Sequence, residues 1–305
     1  MQLEGTTIVD TFAEAFRLRC ARLIVTAHDA HWLQVACEAA CGYGTSVIGC
    51  DAEMGVERVL EEAASPDGRP AASLLAFGFA AESLAKAVAN RTAQCLLTCP
   101  TVNVFDGMPE AEDRAPLGKH VRFFGDGFEK TKLFDGHRIW RVPVMDGEFL
   151  VDETIGITKS VGGGNIILQS DSLDAALTAA RRAVEAIAAV PGTITPFPGG
   201  VVRSGSKVGS RYAALRASTN DAFCPSLVGR TASELVRGAV AALEIVIDGV
   251  DEAAVAAGML AGIHAAAGDG TLAIAAGNYG GKLGKFHFHL HQLLSASSTA
   301  ASRLP

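Results

Sequence analysis

Glu244 is the residue whose type and setting most suggest chemistry. It stands in Leu243-Glu-Ile-Val-Ile-Asp-Gly249, an otherwise apolar strand-like run. A carboxyl group surrounded by hydrocarbon is desolvated, which raises its pKa toward the range useful for proton transfer. The alternative is an edge strand that points Glu244 and Asp248 at water. The stretch 195–225 comes next. It reads Thr-Pro-Phe-Pro-Gly-Gly, then Val-Val-Arg-Ser-Gly-Ser-Lys-Val-Gly-Ser, and ends in Ala-Ser-Thr-Asn-Asp-Ala-Phe-Cys-Pro. Long segments without regular structure are uncommon in compact domains and are often functional. Glycine lets backbone approach a ligand closely. Ser206 and Asn220 add small donors and acceptors, and Lys207 and Arg203 add positive charge. That lining suits a large, polar, anionic small molecule; the bland reading is a surface Ω-loop.

Other motifs carry less. Gly200-Val-Val-Arg-Ser-Gly205-Ser206-Lys207 nearly mimics a phosphate-binding P-loop, but its lysine is one place late and no helix follows. His287, His289 and His291 alternate as on a strand, which would put three imidazoles on one face. No Asp, Glu or Cys cluster in the nearby sequence completes a metal shell. Cys224 has no base flagged beside it.

The bulk properties bound the function. At 305 residues, 49 % of them apolar, the chain is long enough for two domains with cores of their own. A formal charge of −7 argues against nucleic acid as a partner. No apolar run reaches the roughly 18 residues of a membrane helix, and the first residues lack a signal-peptide pattern. Seven cysteines, an odd number without CxxC pairs, suit a reducing cytoplasm.

The elements that must position these residues come in two sets. In the first, Thr11 and Glu14 form a capping-box pattern that predicts a helix start. Strands are expected at 22–26, 45–50, 72–77 and 94–98, with helices at 30–41 and 81–89. Residues 100–150 carry the turn dipeptides Asp135-Gly136 and Asp146-Gly147 and hairpin-like pieces at 121–124, 138–144 and 148–151, an antiparallel extension. The second set has a strand at 165–169 and an amphipathic helix at 173–190. A strand at 243–247, a helix at 252–266 and a strand at 272–276 complete it. The fold class expected is α+β, two ferredoxin-like (split βαβ) lobes related by internal duplication, with the antiparallel extension between them. The lobes are 1–146 and 147–294, followed by a disordered tail, 295–305. The runner-up is one doubly wound parallel sheet.

The runs Asp10-Thr-Phe-Ala-Glu-Ala-Phe16, Pro66-Asp-Gly-Arg-Pro70, Pro196-Phe-Pro-Gly-Gly200, Ser206-Lys-Val-Gly-Ser210, Ala217-Ser-Thr-Asn-Asp-Ala222, Glu244-Ile-Val-Ile247 and Ala276-Gly-Asn-Tyr-Gly-Gly-Lys-Leu-Gly284 occur in this order. Together they resemble the formylmethanofuran–tetrahydromethanopterin formyltransferases, over about residues 1–294. The resemblance implies transfer of a formyl group between the amine of methanofuran (or methylofuran) and N5 of tetrahydromethanopterin, the two co-substrates, with no metal or nucleotide. It implies Glu244 as the catalytic carboxyl. It makes Ser206, Lys207, Asn220, Asn278 and Lys282 the substrate-binding candidates. It also implies a homotetramer-type assembly and, in a bacterium, partners from a hydrolase complex that release formate during formaldehyde oxidation. The alternative is a non-catalytic subunit that binds the formylated cofactor and presents it to a partner.

Overall fold

The computed structural model describes residues 1–134 and 136–301, with side chains at the C-terminal end as far as residue 296. It is a mixed α+β chain with six α-helices among the described residues and mostly antiparallel strand pairing. It divides into two compact units, one of 18–160 and one of 1–17 with 161–305.

The chain opens with β1 (Gln2–Leu3), β2 (Thr6–Ile8) and the long β3 (Phe12–Thr26). The capping-box expectation fails here: Glu14 lies within β3, and Ala13 pairs with Phe288 across an antiparallel ladder. A Thr-x-x-Glu pattern is local, and pairing with a strand more than 270 positions away overrides it. The unit 18–160 continues with α1 (Ala30–Cys41), β4 (Glu53–Leu60), β5 (Ala71–Gly78), α2 (Ala81–Arg91) and β6 (Asn103–Asp106). Asp29 caps α1 by accepting the Trp32 N–H at 3.0 Å. These strands lie in the order β4-β5-β3-β6, all antiparallel, with Leu23, Val25, Leu74, Ala76 and Val104 fully buried beneath the helices.

Three sequence expectations are corrected in this unit. Residues 45–50 are turns, closed by the Cys50 N–H on the Ser46 carbonyl at 2.7 Å. Residues 94–98 carry no strand, because α2 runs on into a π-helical turn at Thr92–Leu96, closed by Leu97 N–H on Thr92 O at 2.8 Å. After β7 (Asp113–Pro116), residues 121–124 fall in α3 (Gly118–Val121) and the 3₁₀ turn that follows it. Beyond it, β8 (Lys130–Phe134), β9 (His137–Val144) and β10 (Gly147–Asp152) pair in succession as an antiparallel meander, with Asp146-Gly147 where β9 passes into β10; Asp135 of the other turn dipeptide lies outside the described residues.

The chain leaves this unit along β11 (Thr154–Ser170). The unit of 1–17 and 161–305 then adds α4 (Leu173–Ala188), β12 (Thr193–Ile194), β13 (Lys207–Val208), β14 (Ala217–Ser218), β15 (Ala241–Gly249), α5 (Glu252–Ala266), β16 (Thr271–Ala275), β17 (Phe286–His289) and α6 (Leu290–Ala301). Its strand order is β16-β11-β15-β12, antiparallel throughout, with β2 added parallel to β16. Ser172 and Asp251 cap α4 and α5, and Ala180, Ile187, Ile245, Ile247, Met259 and Ile263 fill the space between these helices and the sheet. The expected disordered tail, 295–305, begins inside α6, whose backbone runs to Ala301. Residues 302–305 lie outside the described residues.

β15 is not an edge strand. Ile167 of β11 pairs with Glu244 on one side, and Val202 bridges it on the other, with Val202 N–H on Glu244 O at 2.7 Å and Glu244 N–H on Val202 O at 3.0 Å. Asp248 is fully buried and accepts the Gly163 N–H at 2.9 Å. The edge-strand reading therefore fails for both carboxylates: Asp248 is fully buried, and Glu244 is half-buried on a strand paired on both sides.

Candidate active site

Glu244 is half-buried on β15, bridged by Val202 just ahead of the segment that carries Ser206. Burial pushes its pKa above the ordinary carboxylate value, and the Ser206 hydroxyl, donating to Oε2, pulls in the other direction. The carboxyl thus keeps a proton to higher pH than a free glutamate, and among the described residues the Ser206 hydroxyl is its side-chain hydrogen-bond partner.

Ser206 leads into β13, which pairs only with β14. Next to it, Lys207 Nζ pairs with Asp221, whose carboxyl lies below its usual pKa because Lys207 hydrogen-bonds it. Asn220 is half-buried, and its carbonyl accepts Phe223 N–H at 3.1 Å and Cys224 Sγ at 3.3 Å. The other glycine-rich stretch approaches from the far side. Tyr279 Oη accepts the Val208 N–H at 2.9 Å and reaches the Ser206 carbonyl at 3.4 Å. Asn278, just before it, uses its amide on the protein: Nδ2 donates to Thr11 Oγ1 and Phe12 O at 3.2 Å each, and Oδ1 accepts Gly280 N–H at 3.0 Å. Lys282 is exposed on the same turn.

That turn is built around Glu14, which sequence reasoning missed. Its carboxylate is 1 % exposed and accepts four backbone amides: Tyr279 at 2.7 Å, Gly281 at 2.9 Å, and Leu283 and Gly284 at 2.5 Å each. Burial alone would raise its pKa, but the four N–H donors outweigh that and hold it below the ordinary value. Gly280 and Gly281, at φ +69° and +72°, supply the left-handed backbone that folds the amides inward. At Gly284 a Cβ would meet Ala15 O and lie 2.7 Å from Glu14 Cγ. The signal available in sequence was the same one that exposed Glu244: a charge inside an apolar run, Phe12-Ala-Glu-Ala-Phe16.

The three histidines do not share a strand face. β17 ends at His289, and His291 sits in the first turn of α6. His287 and His289 each lie with ring centroids 5.1 Å from Phe12, whereas His291 Nε2 meets the Ile8 carbonyl at 2.8 Å. Among the described residues no group of three or more His, Cys, Asp or Glu is arranged to hold a metal ion.

A cavity of about 840 Å³ opens elsewhere, in the unit 18–160, lined by α2 residues and by Asp113, Arg114, His120 and Phe124. Its charged lining residues are exposed side chains, without the desolvation that sets Glu244 apart, so volume alone does not make it the site of proton transfer.

The chain matches two family models, one described as formylmethanofuran-tetrahydromethanopterin formyltransferase over residues 1–144 and one as the proximal lobe of that protein over 147–293. It is 52 % identical over 299 residues to the formylmethanofuran–tetrahydromethanopterin formyltransferase of Methylococcus capsulatus, covering 97 % of this chain and all of that one. Its structure is similar to that of the Methanosarcina barkeri formyltransferase, with a TM-score of 0.90 and 44 % identity over 96 % of this chain and 100 % of that one. It is similar as well to a chain of the formyltransferase/hydrolase complex from Methylorubrum extorquens, solved with methylofuran, with a TM-score of 0.92 and 46 % identity over 96 % of this chain and 98 % of that one. The chain belongs to the formylmethanofuran–tetrahydromethanopterin formyltransferase family.

Proposed function

We propose that this chain moves a formyl group between N5 of tetrahydromethanopterin and the amine of methanofuran or methylofuran, with Glu244 handling the protons. The observation that carries the reading is a half-buried carboxyl on a strand paired on both sides, its pKa raised by burial, with the Ser206 hydroxyl donating to it. The attacking amine adds to the formyl carbon, forming a C–N bond and placing the electron pair of C=O on oxygen. Glu244 takes the proton that the new ammonium must lose. As the oxyanion collapses and the old C–N bond breaks, the departing nitrogen receives a proton from the same carboxyl. One group serves both nitrogens because its raised pKa lies nearer to neutrality than a free glutamate's.

Lys207, Lys282 and Asn220 are the groups we assign to substrate binding beside Ser206. The two cations suit acidic cofactor tails, and Asn278 acts through the turn it braces. Replacing Lys207 with Met frees Asp221 and removes a cation from the binding face. The expected result is a KM for the acid-tailed substrate raised about three- to tenfold with kcat within about twofold. Steady-state kinetics check it, and a fall confined to kcat would count against this role.

The strand orders β4-β5-β3-β6 and β16-β11-β15-β12, each a β-α-β-β-α-β succession, support two ferredoxin-like lobes related by duplication. The Methylorubrum relative's formyltransferase/hydrolase complex supports hydrolase-complex partners for this chain. A homotetramer-type assembly in the cytoplasm completes the proposal; no helix among the described residues is long and apolar enough to cross a membrane. The test is the purified chain alone, mixed with formylated tetrahydromethanopterin and methanofuran. A transferase changes the pterin absorbance as the formyl group leaves N5; a presenting subunit without catalysis leaves it unchanged.

A further inference from the structure

We propose that Tyr279 is a positioning residue for the reaction: its hydroxyl holds the Ser206–Val208 backbone so that the Ser206 side chain stays on Glu244. This rests on the reading of Glu244 given above. Ser206 sits in a small ribbon steadied by its own strand pairing, by Gly205 N–H on Ser218 O at 3.2 Å and Gly209 N–H on Arg216 O at 2.7 Å, and by the Lys207–Asp221 ion pair. β13 is two residues long and pairs only with β14, itself two residues long, in a ladder separate from the main strand pairings. So short a two-stranded ribbon is marginal by itself in water. Val202, four positions earlier, is fixed by its two backbone bonds to Glu244, but the backbone between, Arg203-Ser-Gly205, includes a glycine at φ +91°. Tyr279 ties the far end. It accepts Val208 N–H at 2.9 Å and meets Ser206 O at 3.4 Å, bracketing Lys207 from both sides.

Tyr279 is itself held from two directions. Its ring lies 6.5 Å, centroid to centroid, from Phe16. Its backbone N–H is one of the four amides clasped by buried Glu14. A carboxylate accepting several main-chain N–H groups is a rigid anchor, because opening the turn would strand a buried charge. The route therefore runs from Glu14 to the Tyr279 backbone, through the phenol to the backbone at 206–208, and from Ser206 Oγ to Glu244. Burial raises the pKa of the phenol, the Val208 N–H lowers it, and the Glu244 and Glu14 carboxylates raise it further, so the hydroxyl keeps its proton and acts as a hydrogen-bonding strut.

Tyr279→Phe removes the hydroxyl and keeps the ring against Phe16, so the fold is retained. If Ser206 is then free to swing away, the carboxylate form of Glu244 loses its donor and its pKa climbs further. The acidic limb of the kcat pH profile moves to higher pH by about half to one unit. kcat at neutral pH falls about tenfold, and KM changes less than about threefold. Ser206→Ala gives the same limb shift, and the Tyr279→Phe/Ser206→Ala double variant goes no further than Ser206→Ala alone, since both act on one contact. A merely structural tyrosine would lower the amount of active enzyme without moving the limb. A Tyr279→Phe limb that coincides with the parent's, or effects that multiply in the double variant, would overturn the proposal. Glu244→Gln run alongside separates this failure from that of the underlying reading: an acidic limb that survives in Glu244→Gln sinks both.

Discussion

Glu244→Gln is expected to lower kcat by about 10²–10⁴-fold, the usual worth of a positioned general acid–base group, while the protein folds as before. Gln keeps the side-chain length and can still accept from the Ser206 hydroxyl, so binding survives and proton transfer does not. Stability should move the opposite way to activity. Because burial raises the folded-state pKa of Glu244, the unfolded chain gives up this proton first as pH rises. The folded state then loses stability between the unfolded and the folded pKa. Glu244→Gln carries no such penalty. Its Tm should equal or exceed the parent's at neutral pH, with the difference shrinking toward acid pH. A near-parental kcat in single-turnover formyl transfer would contradict the acid–base role; a collapsed Tm would mean that the side chain is structural.

Glu14→Ala is expected to cost about 2–4 kcal/mol, because it leaves four inward-facing amides without their buried acceptor. For a protein of this size that is a Tm fall of roughly 5–15 °C. Here the pH dependence has the reverse sign from Glu244. The four amides depress the folded pKa below the unfolded one. The stability they confer is fully present above the unfolded value and disappears as pH falls through the folded value. The deficit of Glu14→Ala against the parent should therefore be widest at neutral pH and narrow in acid. Thermal melts across pH check both the size and the trend; a deficit constant with pH would mean lost packing, not lost charge, is responsible.

These two carboxylates show what could be read from residues alone. Glu244 stands out because a charge interrupts a run of β-branched and apolar neighbours, and an interior strand position follows once β11 and Val202 flank it. Glu14 carries the same signature, but Thr11 three places earlier forms a competing helix-start pattern, and only the ladder with β17 decides between them. The helix α4 was legible because its apolar spacing is local, and α1 and α5 fall where helices were expected. The strand expectation at 94–98 failed because α2 winds on past its regular end. Tyr279 was silent in sequence: its part depends on a phenol reaching a backbone 71 positions away. The histidines misled because alternation predicts a shared face only while the strand lasts, and β17 gives way to α6 after His289.

The most direct test of the central claim is an infrared pH titration of the parent protein minus Glu244→Gln. The subtraction removes other buried carboxyls, including Asp152, whose pKa burial lifts to about 6. The account predicts a protonated carboxyl band, belonging to Glu244, that persists well above the roughly 4.3 of an ordinary glutamate. A band that vanishes at or below that value would show an everyday carboxylate, and the proton-transfer account would be wrong.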